Sequence, residues 1–67
     1  MDVPSLIEST GEKPAEIARR VGVSDGHVWD LKSGRRKLTL ELAKRFDEVL
    51  LTNGKFVEAV IKQRLAS

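Results

Sequence analysis

The stretch from Pro14 to Gly34, PAEIARRVGVSDGHVWDLKSG, constrains this chain more than any other. Ile17, Ala18 and Val21 recur at spacings of one and four, giving an apolar face to a short helix that begins at Pro14. Proline is tolerated there because the first N–H of a helix has no partner anyway. Val28 and Leu31, three apart, give a second short helix its inward face. Between the two lies Val21-Gly22-Val23-Ser24. Gly22 can take the left-handed conformation that ends a helix. Ser24 can accept from the free amides that begin the next. Val23 is the apolar plug between them. The pattern predicts two helices joined by a tight turn, the second closing at Gly34.

The flanking sequence supplies further helices. Asp2 is a good N-cap for a helix over Val3–Ser9, where Val3, Leu6 and Ile7 share a face, and Thr10-Gly11 ends it. Thr39 caps a fourth helix, in which Leu42, Phe46, Val49 and Leu50 form an amphipathic stripe, broken at Thr52-Asn53-Gly54. The last segment, residues 55–67, carries Val57, Val60, Ile61 and Leu65 at i, i+3, i+4 and i+8. It reads as a fifth helix, with a strand as the alternative because Val and Ile favour strands. Neither a repeat nor a linker interrupts the chain, so residues 1–67 form one domain.

Sixty-seven residues bury only about 60% of their unfolded surface, so a lone core is marginal. Without cysteine, no disulfide or thiolate metal site can support it. Helix packing or oligomerisation must do so. No apolar run approaches the roughly 20 residues of a membrane span, and the N-terminus lacks a signal pattern. A cytoplasmic protein is expected. The net charge of +2 is unevenly placed. From Glu12 to Arg45 nine bases face five acids, a balance of +4, while the remaining segments balance at −2. Positive charge gathered around the paired helices is the footprint of a phosphate-binding surface, or equally the solubility charge of exposed faces.

Ala18, Gly22, Val23, Ser24, Val28, Leu31 and Gly34, followed by the basic turn Arg35-Arg36-Lys37, resemble the helix-turn-helix of the Cro/repressor family of phage, plasmid and bacterial regulators. The resemblance spans about Lys13 to Leu50, half or more of the chain. It implies an all-α, five-helix, lambda-repressor-like DNA-binding fold with its helix-turn-helix at 14–34. It implies that the second helix of the pair enters the major groove of double-stranded DNA. Ser24, Asp25, Gly26, His27, Trp29 and Asp30 are then the base-reading candidates. Family members mostly carry Gln, Asn, Ser, Lys or Arg there; this chain offers two acids and a tryptophan. A carboxylate can accept from cytosine N4, and an indole can pack on a thymine methyl or a sugar. Alternatively, Asp25 is a first-turn acid favoured by the helix dipole, and Trp29 packs on the first helix or a neighbouring subunit. Gly26 permits close backbone approach, or merely frays the first turn.

Lys32, Arg35, Arg36 and Lys37 are the phosphate-binding candidates. Lys13 joins them, because many family members have a phosphate-binding Gln where this chain has Pro14. Val57, Val60, Ile61 and Leu65 are the candidate homodimer contact, although part of that stripe can fold back beside Phe46 and Leu50. Ser24, Asp25, His27 and Asp30 contain the residue types of a catalytic triad. Side chains within two turns of one helix fan apart rather than converge, so no enzyme is expected. One histidine and no cysteine make a metal site an unfavourable reading. No cofactor and no small-molecule effector are expected. The expected function is a small repressor or Cro-like regulator reading a palindromic operator as a homodimer. The alternatives are an antitoxin that binds a toxin protein, and an adaptor that uses the fold against another protein.

Overall fold

Four of the five helices begin at a residue whose local chemistry favours a start. In the computed structural model, which describes residues 2–66 (Ala66 by its backbone alone), five helices follow one another: α1 Val3–Ser9, α2 Pro14–Val21, α3 Asp25–Ser33, α4 Leu40–Leu50 and α5 Lys55–Ala66. The described residues contain no strand, so the last segment is helical; its final residue lies outside them. Asp2 accepts from the Ser5 N–H, Ser24 from the His27 N–H and Thr39 from the Leu42 N–H, each satisfying an orphan amide of a first turn. Gly22 and Gly34 close α2 and α3 at φ +91° and +83°, a conformation that a Cβ would strain.

The apolar faces meet in one core. Val3, Leu6 and Ile7 of α1 join Ile17, Ala18 and Val21 of α2 and Val28 and Leu31 of α3. Leu38 from the α3–α4 loop, Ala43 and Phe46 from α4, and Phe56, Ala59 and Val60 from α5 complete it. Val23 packs against its edge between α2 and α3. The Phe46 and Phe56 rings meet edge to face with centroids 5.1 Å apart, the favoured arrangement of two aromatic quadrupoles. The radius of gyration is 10.5 Å, against about 11 Å for a folded chain of this length. Among the described residues no helix is long and apolar enough to cross a membrane.

Two faces differ from the sequence expectation. In α4, Ala43 and Phe46 are fully buried while Leu42, Val49 and Leu50 are half-buried. In α5 the inward face is Phe56, Ala59 and Val60 rather than the stripe beginning at Val57. Both patterns contain Val60. Turning the helix toward Phe56 buries an aromatic ring, whose roughly 150–250 Å² exceeds what Ile61 would bury.

The placement of α5 also depends on a contact outside any local pattern. Asp47 of α4 accepts the backbone N–H groups of Phe56 and Val57, both at 3.0 Å, and the Thr52 hydroxyl. The residue preceding α5 is Gly54, with no side chain to cap it, so the carboxylate of the previous helix serves instead. The intervening turn holds Leu51 and Asn53 at positive φ. Arg20 of α2 ties the far end of α4 down, donating to the Val49 carbonyl at 3.0 Å while paired with Glu12 at 2.5 Å.

Candidate nucleic-acid interface

With Val28 and Leu31 turned inward, the opposite face of α3 follows from a rotation of about 100° per residue. Gly26 and Ser33 lie furthest out, Trp29 on one flank and Asp30 on the other. Exposure agrees: Gly26 and Ser33 are exposed, Trp29 is 55% exposed and Asp30 is half-buried. Ser33 belongs to this face although its place at the helix end hides it among the sequence candidates; the same rotation is the signal that finds it.

The base-reading candidates differ in what the fold already asks of them. The Ser24 hydroxyl is used as the α3 cap. Asp25 is exposed in the first turn, where its negative charge complements the positive end of the helix. His27 is half-buried at the edge of the face. Gly26 has a helical φ, and a Cβ built on it would meet nothing within 4 Å. The fold therefore does not require glycine there. Trp29 lies across a groove shared with Glu8, Lys13, Pro14 and Ala15, beside the α1–α2 turn. The Asp30 carboxylate makes no hydrogen bond or ion pair with the described residues.

The basic loop is held in register with α3 by its backbone. The Arg35 and Arg36 N–H groups both donate to the Asp30 carbonyl, at 2.9 and 3.2 Å, and the Ser33 hydroxyl donates to it at 3.2 Å. The side chains of Arg35, Arg36 and Lys37 are exposed and form no ion pair among the described residues. Three unpaired cations thus stand at a fixed offset from the exposed face of α3.

Lys32, the phosphate-binding candidate within α3, is already engaged on the flank toward α1. Its ammonium lies 3.6 Å from the Glu8 carboxylate of α1 and 5.5 Å from the centroid of the Trp29 ring. Helix α1 packs against α3 on that flank, so Glu8 and the indole face draw the chain in. Lys13 is exposed at the start of α2, with no capping bond and no ion pair among the described residues.

The candidate dimer contact is divided. Val60 is 1% exposed and belongs to the core, and Val57 packs half-buried against it, so neither is free surface. Ile61 at 49% and Leu65 at 82% exposure remain outside. Leu38, in the loop between α3 and α4, is buried. The described residues contain no group of three or more His, Cys, Asp or Glu placed to hold a metal ion. No family model matches the chain, and neither does any curated protein or solved structure.

Proposed function

We propose that this protein is a sequence-specific double-stranded DNA-binding regulator, a small repressor or Cro-like protein of helix-turn-helix type. Helix α2 braces the structure, α3 lies in the major groove, and the loop after it follows the phosphate backbone. One observation carries the reading. Arg35 and Arg36 are fastened through backbone hydrogen bonds to the Asp30 carbonyl of the helix whose polar face would read the bases, and they and the adjacent Lys37 are exposed with no ion pair among the described residues. Cations placed this way hold a duplex in register while the neighbouring helix inspects it. Lys13 adds a contact at the start of α2. A single reading helix covers few base pairs, so two copies related by a two-fold axis would serve a palindromic site whose half-sites lie about 34 Å apart. Ile61 and Leu65 are the residues of the α5 stripe that stay exposed for that association. The resemblance to the Cro/repressor family supports the same reading.

The test is the binding of the purified chain to a labelled random duplex, followed by fluorescence anisotropy between about 50 and 500 mM salt (one decade, over which counterion release is large). Binding that weakens steeply with salt supports the proposal. Absence of binding at the low-salt end refutes it and leaves a protein-binding role, with Trp29 as the exposed anchor.

A further inference from the structure

Asp30 has no role in the folded monomer that explains it. It begins the last turn of α3, near the negative end of the helix, where a carboxylate is disfavoured. It is half-buried, and its carboxylate has no partner among the described residues, although Lys32 and the loop cations are only two to seven positions away. Asp25 differs in this respect, since the positive end of the helix accounts for it. Asp30 also stands one turn after Gly26 on the outward face, where the backbone is bare and the space a Cβ would occupy has no neighbour within 4 Å. A short acid can reach a base edge only if the helix backbone comes close, and Gly26 allows that.

We propose that Asp30 is a specificity-determining residue that selects cytosine at one position of each half-site, chiefly by rejecting the other bases. The proposal rests on the DNA-binding reading above. In the major groove, guanine shows two acceptors, thymine an acceptor and a methyl, and adenine an acceptor beside its amino group. Cytosine alone presents an amino donor with no acceptor on the same base. A carboxylate brought to this edge gains a charge-assisted hydrogen bond from N4; against the others it meets a lone pair of like sign. It also repels phosphates, so it lowers affinity for every duplex that does not repay the contact. Specificity then arises from a repulsive element set against the attraction of Arg35, Arg36 and Lys37.

The experiment selects bound duplexes from a random pool with the wild-type chain, with Asp30→Asn and with Asp30→Ala. Circular dichroism melts are recorded for all three. The expected result is a cytosine shared by the wild-type ligands. Asp30→Asn should move that position toward adenine, which an amide can read at N6 and N7, with a change in discrimination of about tenfold or more. Asp30→Ala should lose preference there and bind random duplex severalfold more tightly. Both variants should melt at or above the wild-type temperature. An unchanged base preference in Asp30→Asn overturns the inference while leaving DNA binding intact. A marked loss of stability in both variants overturns it as well, since the carboxylate would then be structural. If the wild type selects no duplex, the DNA-binding reading fails, and the inference with it.

Discussion

Neutralising Arg35, Arg36 and Lys37 together to glutamine tests the interface most directly, because the size of the effect can be worked out beforehand. None of the three side chains is paired within the described fold, so nothing must be broken for each to meet a phosphate. Each such contact lowers the slope of log K against log salt by about 0.9. Three give a change of about 2.7. Referred to 1 M salt, this is about 2.7 decades at 0.1 M, a roughly 500-fold weaker binding to random and selected duplexes alike. Arg36→Gln alone should lose about eightfold and change the slope by about 0.9. Lys32→Gln is the internal control. Its ammonium is held between Glu8 and the Trp29 ring, so its slope change should fall well below that of Arg36→Gln. The melting temperature of the triple variant should stay within a few degrees of wild type, as surface substitutions away from bonded groups shift stability by at most about 0.5 kcal/mol. The assay is fluorescence anisotropy at four or more salt concentrations. A triple variant with wild-type slope and affinity would falsify the phosphate assignment, and equal effects of Lys32→Gln and Arg36→Gln would refute the division drawn between them.

Other outcomes follow from single contacts. Asp47→Ala removes the acceptor of the Phe56 and Val57 N–H groups and of the Thr52 hydroxyl, and should cost about 2 kcal/mol, or roughly 8–16 °C in melting temperature. A shift below about 3 °C would remove the carboxylate from its capping role. Val60→Glu should abolish the cooperative melt, because Val60 is 1% exposed, whereas Ile61→Glu at 49% exposure should fold. That second variant should keep weak binding to random duplex but lose cooperative occupation of a palindromic site, measured by titration of one- and two-half-site duplexes; unchanged cooperativity would move the contact between copies elsewhere. Hydrogen bonds from the Ser5 side chain and backbone hold the Asp2 carboxyl below its ordinary 3.8. Its contribution is therefore present above that value and lost as pH falls through the lowered pKa. The melting difference between wild type and Asp2→Ala should be largest near neutrality and close at strongly acid pH; a constant difference across that range would contradict the capping account.

What is legible in the sequence is what acts over short distances. Asp2, Ser24 and Thr39 each accept from an amide three residues on, and Gly22 and Gly34 relieve a strain within their own backbone, so their residue types announce the helix ends. Asp47 reaches nine and ten residues forward, across a turn whose geometry no local pattern specifies, and nothing in its neighbours marks it as the cap of α5. The face of α5 is ambiguous for a related reason. Two stripes share Val60, and only the position of the Phe46 ring on another helix decides for Phe56 over Ile61. The ion pair of Lys32 is not legible in the sequence because its spacing from Arg35 and Arg36 says nothing about Glu8, which α1 brings against it. The candidate interface is more legible than these because it consists of residues that packing does not recruit. Once the fold has claimed the Ser24 hydroxyl, the Lys32 ammonium and the dipole-favoured Asp25, what it leaves on α3 and the following loop is a bare Gly26, an exposed indole, and an Asp30 carboxylate and three cations without partners among the described residues. On the proposed DNA-binding reading, attraction would reside in the loop and discrimination on the helix. Substitutions in the loop should therefore change affinity without changing sequence preference, whereas substitutions at Asp30 should change the preference itself.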